Sequence, residues 1–287
     1  MVTSTAPTAS NPSGASAVAD VGRMVARARV RVERVGVADR VVECRGEPPL
    51  LPRRTADGVY FVASAAGPLA GDQLTTELSV GAGAHLFVGS VGATYARPGI
   101  AGCESVARVE VDVGAGGRLT WAPEPVVAVA GCRHRSEAVI ALGPGAELFW
   151  VDVVVLGRHD EVGGDVWARR SVDLVGSPLN RQDVAMTVAR RAGPDPVVLG
   201  GARVVASFLA VHPEWAGDAG SRADWRVTTG PVRAGVLPLA GPAAEVVALA
   251  ADVHGVHVAF GALAGALTAS HPATSAALAA YATSGRR

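Results

Sequence analysis

One short phrase occurs three times in the chain, and it constrains the fold more than any other feature. The copies are VGAGAHLFV at 80–88, VGAGGRLTW at 113–121 and LGPGAELFW at 142–150, so their starts lie 33 and 29 residues apart. Spacings of this size are typical of supersecondary units that repeat along a chain and stack on one another. The three copies therefore predict a stack of similar units.

Each copy interrupts an alternating pattern. In the segment ARVEVDV at 107–113, valines alternate with charged residues, which is the period of a half-buried strand. The glycines of the phrase supply backbone angles that other residues avoid, and the alternation resumes after them. We therefore predict that each copy joins two strands through a tight turn, with Gly83, Gly116 and Gly145 in the turns.

The rest of the chain fits the same fold class. The stretches 21–66 and 165–240 divide mainly into short strand-like segments between Gly and Pro residues. Residues 1–20 are small and polar and predict a disordered tail. No shift in composition marks an internal boundary. We therefore predict a mainly β protein, a layered β-helix-like stack in one domain spanning 21–287.

Two helices are predicted near the C-terminus. The first follows Pro242, with Glu245 in its first turn, and the second runs from Pro272 to near Tyr281. Helical spacing of apolar residues indicates the first of them at Val246, Leu249, Ala250 and Val253.

Composition excludes several classes of protein. The 26 acidic residues balance 26 basic ones, and no basic run indicates nucleic-acid binding. All the basic residues are arginines, so there is no lysine for a Schiff base or for a phosphate-binding P-loop. Pyridoxal chemistry and P-loop NTPase activity are therefore excluded.

The absence of targeting signals and the pattern of cysteines predict a soluble cytoplasmic protein. The N-terminal residues lack the basic and apolar regions of a secretory signal, and the longest later apolar run, 258–267, is too short to span a membrane. Cys44, Cys103 and Cys132 are odd in number and form no CxxC pair, as expected in a reducing compartment.

Asp152 is the strongest candidate for a functional side chain. It interrupts an apolar run and shares a strand face with Leu148, Trp150 and Val154, where a lone carboxylate is costly to bury. One interpretation is structural pairing with Arg158 or another arginine. The other is an internal carboxylate that lines a polar passage.

Asp72, next to Gly71, presents a similar choice. An aspartate beside a glycine commonly caps a turn, because its carboxylate accepts backbone hydrogen bonds. The alternative is an acid at the mouth of a passage.

The remaining motifs do not complete a metal-binding, nucleotide-binding or catalytic site. Cys132 with His134, and His254 with His257, form loose pairs that complete no metal site, since zinc or nickel needs three or four ligands. The glycine phrase lacks the third glycine of a dinucleotide-binding loop, and Ser90 lacks one of the two glycines of a hydrolase elbow. We interpret the glycine phrase as a turn and Ser90 as a strand-end hydroxyl.

Three blocks, taken in order, resemble the urease accessory protein family UreD, also called UreH. GPLAGDQLTTELSVGAGAHLFVGSVGAT resembles the block of that family that contains a GD pair, here Gly71 and Asp72. GAGGRLTWAPEPVVAVAGCRHR resembles its W-x-P-(D/E)-P segment. LGPGAELFWVDVVVLGRHDEVGGD resembles its third block and aligns Asp152 and Arg158 with the acid and the GR of the family pattern.

The sequence also departs from the family pattern. Pro68 and Ala70 replace glycines, Asp152 replaces the commoner glutamate, and the segment GATYARPG keeps Tyr95 and Arg97 but no lysine.

The resemblance implies a β-helix-like scaffold with two helices at one end and no catalysis of its own. It implies partners: the urease apoprotein, an F-type accessory protein and a G-type GTPase. It implies no tightly bound cofactor but a nickel ion in transit, which Asp72 and Asp152 are expected to pass along, because carboxylates bind nickel without the tight hold of a histidine set.

Two other functions stay open from the sequence. Stacked β-coils also host polysaccharide-processing enzymes that use acidic pairs, although an aromatic content of 5% is low for a sugar-binding groove. The third possibility is a β interaction module with no metal dependence.

Overall fold

The computed structural model describes residues 22–191, 199–215, 226–229, 232–267 and 272–284. Within them the chain forms two β-sheets that face each other, and two helices cover the outer face of one sheet. The tail predicted at 1–20 lies outside the described residues. In chain order the strands are β1 (Val25–Val35), β2 (Ala38–Gly46), β3 (Leu50–Arg54), β4 (Val59–Ala63), β5 (Gln73–Val80), β6 (His85–Ser90), β7 (Thr94–Ala96), β8 (Ser105–Val113), β9 (Arg118–Ala122), β10 (Val126–Ala128), β11 (Arg133–Leu142), β12 (Glu147–Leu156), β13 (Asp165–Leu174), β14 (Ser177–Met186), β15 (Val204–Val211), β16 (Arg226–Thr229), β17 (Val232–Pro238) and β18 (Ala243–Ala250).

In the middle of the chain, from β5 to β12, the strands pass repeatedly from one sheet to the other. One sheet has the order β14-β13-β11-β8-β5-β1-β2, and the other has the order β16-β17-β18-β15-β12-β9-β6-β4-β3. β5, β8 and β11 pair in parallel in the first sheet, as β6, β9 and β12 do in the second. The central coils therefore form a β-solenoid, which confirms the predicted mainly β, layered stack.

The three glycine turns carry the chain from the first sheet to the second. Gly83, Gly116 and Gly145 have φ angles of 65°, 62° and 66°, which glycine adopts without steric cost. The Gly83 amide donates to the Ala115 carbonyl, and the Gly116 amide donates to the Pro144 carbonyl, both at 2.9 Å. The turns thus stack in register, and each joins two strands as predicted.

Inward-facing and outward-facing residues alternate along the strands, and the inward-facing apolar residues form one core between the sheets. In β11, Ala138, Ile140 and Leu142 are buried, whereas the intervening Val139 is exposed. The inward side chains of the second sheet, such as Leu119 and Leu148, pack in the same cluster. The parallel coils end at antiparallel hairpins, formed by β1 with β2 and by β13 with β14.

The helices are α1 (Val188–Arg191), α2 (Val253–Leu267) and α3 (Pro272–Ser284), and a short 3-10 turn lies at Pro213–Trp215. α2 and α3 pack on the second sheet, where the rings of Phe208 and Phe260 lie 6.1 Å apart. The helix predicted from Pro272 is confirmed. None of the helices in the described segments is long and apolar enough to cross a membrane.

The helix predicted after Pro242 was placed wrongly at its start. Residues Ala243–Ala250 form strand β18, and the helix begins only at Val253. β18 is covered on one face by the helices and on the other by the inter-sheet core. A strand buried on both faces is apolar at consecutive positions, so its pattern does not distinguish it from a buried helix.

Candidate functional site

A cavity of about 180 Å³ lies between the two sheets. On the first sheet its wall contains Ala107, Ser136 and Ala168, which occupy one row across β8, β11 and β13. On the second sheet its wall contains Trp150 and Asp152 of β12. This row carries small side chains, whereas the rows through Ile140 and Leu142, farther along the same strands, carry Val, Ile and Leu.

Arg170 of β13 bridges the sheets beside this cavity, and only 2% of its side chain is exposed. Its Nη1 donates to Asp152 Oδ2 at 3.0 Å and to Ser207 Oγ at 3.2 Å. Its Nη2 donates to Glu245 Oε1 at 2.6 Å. One guanidinium therefore holds together strands β12, β15 and β18 of the opposite sheet.

Glu245 is the more deeply buried of the two acids. Besides Arg170, it accepts hydrogen bonds from Gln182 Nε2 at 2.5 Å and from Asn180 Nδ2 at 3.4 Å. Both amides come from β14, the edge strand of the first sheet. With both acids ionised, two carboxylates face one guanidinium, and the cluster carries one net negative charge.

Asp152 is bonded on one oxygen only. Its Oδ2 accepts from Trp150 Nε1 at 2.8 Å as well as from Arg170, whereas Oδ1 accepts no hydrogen bond from the described part of the chain. Its side chain keeps 38% of its surface accessible because it lines the cavity. Burial raises the pKa of Asp152, and the Arg170 charge and the Trp150 hydrogen bond oppose this shift.

The arginine paired with Asp152 is therefore Arg170, the other arginine that the structural interpretation allowed, and not Arg158. Arg158 lies near the surface, where its Nε and Nη2 each donate to Glu161 at 3.0 Å. This hydrogen bonding lowers the pKa of Glu161 to about 2.

A second cavity, of about 370 Å³, connects the interior with the surface. It reaches Tyr95, Arg97 and Arg158, whose side chains are exposed. The two cavities share the walls formed by Leu50, Phe61, Pro68, Leu74, Ser90 and Thr94. The cavity that the exposed arginines line is therefore adjacent to the cavity that Asp152 lines.

Asp72 holds a turn. Its Oδ1 accepts the Met24 amide at 2.9 Å and its Oδ2 accepts the Leu69 amide at 2.8 Å, while the side chain is buried. Gly71 before it has a φ of 108°. This is the geometry of the turn residue that the sequence favours. Asp72 is not among the residues that line the two cavities, and its role in passing a cation stays a prediction.

His134 is a buried histidine that lines the inner cavity. Its Nδ1 lies 2.9 Å from Ser105 Oγ, and its Nε2 has no hydrogen-bond partner within the described residues. Burial lowers the pKa of His134 to about 4, so the ring is neutral at pH 7. Cys132, two residues earlier, is buried and forms no disulfide.

The described residues contain no group of three or more His, Cys, Asp or Glu side chains arranged to hold a metal ion. In the second loose histidine pair, the His257 ring packs edge-on against Tyr281 at 5.4 Å.

Sequence reasoning did not find Arg170 and Glu245. A signal for Arg170 was present, because Arg169 and Arg170 are adjacent in a strand and only one of them can face outward. Glu245 was assigned to a helix, which hid its place opposite Arg170.

Comparison with known proteins gives consistent matches. Residues 24–279 match the family model described as UreD urease accessory protein. The urease accessory protein UreD of Parafrankia sp. strain EAN1pec is 37% identical, over 91% of this chain and 96% of that protein. The corresponding protein of Streptomyces avermitilis is 39% identical, over 72% of this chain and 82% of that protein. The one from Frankia alni is 36% identical over 72% of each.

Proposed function

The chain belongs to the UreD family of urease accessory proteins, and from this membership we propose that it is a scaffold in urease maturation. In this proposal it binds the urease apoprotein together with an F-type accessory protein and a G-type GTPase. It has no reaction of its own and helps deliver nickel to the urease active site. Nickel is cargo here and not a resident cofactor.

The observation that supports nickel delivery is the free oxygen of Asp152. Arg170 and Trp150 fix the carboxylate through Oδ2, which leaves Oδ1 toward the cavity. A fixed carboxylate oxygen is a suitable ligand for a hydrated divalent cation. With both acids ionised, the net negative charge of the cluster attracts that cation into the cavity.

Weak retention is the second requirement for a passage. A conduit must release the ion, and tight nickel or zinc sites use three or four protein ligands. Within the described residues no such group is assembled. The Arg170 guanidinium, 3.0 Å from Asp152, further weakens the hold of the carboxylate on a cation.

The alternative of a polysaccharide-processing enzyme finds less support. It needs acids free to act on an exposed face. On the outer face of the first sheet, Glu77 is bonded to Arg29, and Glu110 and Glu137 are both bonded to Arg108.

The test of the proposal is Asp152→Asn in the complete accessory complex with urease. Asparagine keeps the shape and the hydrogen bonds to Arg170 and Trp150, but it removes the charge that faces the cavity. We expect the complex to assemble in normal yield and the matured urease to contain less nickel. The matched control is Asp112→Asn, which changes an exposed acid of β8 and should alter neither.

Normal nickel content in a urease matured by an intact Asp152→Asn complex would falsify the conduit role. Failure of the wild-type chain to co-purify with the F-type protein would count against the scaffold role.

A further inference from the structure

The second cavity, of about 370 Å³, combines an apolar wall with positive charge at the surface, and we call it the outer cavity. Its lining contains two arginines, Arg97 and Arg158, and no acidic residue. Most of the remaining wall is apolar and includes Leu50, Phe61 and Pro68. A ligand that fits this cavity therefore needs an apolar group and a negative charge.

Arg97 has no counter-ion within the described part of the chain. Its side chain is exposed, and the guanidinium makes no hydrogen bond or ion pair with a described residue. Its backbone is held in place, because its amide donates to the Pro68 carbonyl at 2.9 Å and its carbonyl accepts the Ala70 amide at 3.1 Å. Arg97 thus presents a planar set of donors from an ordered segment, which suits a carboxylate.

The charge of Arg158 is only partly used by its own loop. Its Nε and Nη2 donate to Glu161 at 3.0 Å, whereas Nη1 donates to no described residue. Arg203 lies beside it and donates to the carbonyls of Arg158 and Glu161. Together with Arg97 these arginines face two nearby acids, Glu161 and the exposed Asp160. The opening of the outer cavity is therefore net positive.

Tyr95 indicates what kind of ligand carries the negative charge. It lines the outer cavity two residues before Arg97, and 45% of its surface is exposed. Val91 and Val162, close by in the chain segments that form the opening, are also exposed. Tyrosine and arginine are enriched at the energetic centres of protein interfaces. This combination favours a protein segment over a free ion.

We propose that the outer cavity binds a segment of a partner protein that inserts an apolar side chain and places a carboxylate on Arg97. Arg97 binds the carboxylate through two parallel hydrogen bonds, and the apolar wall contacts the inserted side chain. Such a partner is seated next to the cavity that Asp152 lines. That the partner is the urease apoprotein or the F-type protein rests on the proposed function; binding of an apolar carboxylate at Arg97 does not.

The first experiment titrates N-acetyl-leucine into the full-length chain and follows binding by ligand-observed NMR. N-acetyl-leucinamide, which has nearly the same shape without the charge, is the control ligand. We expect Arg97→Gln to weaken binding of the acid about tenfold, the effect of losing a charged hydrogen-bond partner. The matched control is Arg40→Gln, which changes an exposed arginine of β2 outside the cavity and should match wild type.

Two further comparisons make this experiment specific. Arg97→Lys keeps the charge but not the planar set of donors, so its affinity for the acid should lie between those of wild type and Arg97→Gln. The amide should bind wild type and Arg97→Gln equally weakly. Thermal melting checks that each variant is folded.

The second experiment measures the affinity of the same variants for the urease apoprotein and, separately, for the F-type protein. We expect Arg97→Gln to weaken binding of one of these proteins at least tenfold, whereas Arg40→Gln changes neither affinity. The loss should diminish at high salt, because the opening of the cavity is exposed and its charges are screened.

Equal binding of N-acetyl-leucine by wild type and folded Arg97→Gln would overturn the inference, as would unchanged affinity of Arg97→Gln for both proteins. Displacement of N-acetyl-leucine by an equal concentration of inorganic phosphate would also overturn it, because the site would then accept any anion. If the wild-type chain binds neither protein, the proposed function falls, and the titration with N-acetyl-leucine still decides whether Arg97 binds an apolar carboxylate.

Discussion

The two acids bonded to Arg170 should differ sharply in their contribution to stability. Glu245→Gln removes the buried counter-charge of Arg170 and places an amide NH₂ where Asn180 now donates. The charge that remains near Arg170 is on Asp152, whose pKa is raised by burial. Breaking a buried ion pair from one side costs about 3 to 5 kcal/mol, because it leaves an uncompensated charge.

Asp152→Asn should cost much less. The asparagine oxygen can accept from both Trp150 and Arg170, and its NH₂ group then faces the cavity. Arg170 keeps Glu245 as its counter-ion, and the cluster goes from one net negative charge to none. We expect a change within about 1 kcal/mol, the size of a single neutral hydrogen bond.

Thermal unfolding of the purified full chain, followed by circular dichroism, measures the difference. For a chain of this size about 1 kcal/mol moves Tm by about 2 to 4 °C, so Glu245→Gln should lower Tm by about 6 to 20 °C and Asp152→Asn by less than about 4 °C. Glu77→Gln, in a partly exposed pair with Arg29, is the control and should lie within about 1 kcal/mol of wild type. Equal losses for Glu245→Gln and Asp152→Asn would refute this division of roles.

Two further predictions concern the turns and pH. Gly116→Val should destabilise the fold by at least about 1 to 2 kcal/mol, since the φ of 62° disfavours side chains although the space around it is open; chemical denaturation checks this against Gly235→Ala, where φ is ordinary, and equal stability of the two variants would disprove it. The pKa of His134 is about 4 in the folded protein, against 6.5 for an unperturbed histidine, so the unfolded chain binds the extra proton between these values. The contribution of this ring to stability is thus complete above pH 6.5 and is lost as pH falls toward 4, by up to about 1.4 kcal/mol per pH unit. Denaturant titrations at several pH values give the free energy of unfolding as a function of pH. Between pH 4 and 6.5 this free energy should change less steeply with pH in His134→Gln than in wild type. An identical pH dependence in the two proteins would contradict a neutral buried ring.

The sequence predicted the stack because its strongest signal is local. Each glycine turn needs only its own few residues, and the same phrase recurs at three of the crossings from the first sheet to the second. Asp152 was identified in the same way, since a charge within an apolar run must find a partner. Its partner was not identified, because Arg170 lies 18 residues away in another strand. The spacing of residues in the sequence does not indicate which side chains of two facing sheets meet across a cavity. The prediction for β18 failed for a related reason. Burial on both faces removes the alternation of apolar and polar residues by which a strand is distinguished from a helix.

The small side chains of the row through Ala107, Ser136 and Ala168 affect how much the volume of the protein changes when it unfolds. Protein interiors are otherwise packed as densely as organic crystals, and unfilled space that disappears on unfolding makes the unfolded chain smaller than the folded one. Hydrostatic pressure then favours the unfolded state. The wild-type protein, with its inner cavity, should therefore unfold at lower pressure than a variant in which Ala107→Leu fills that space.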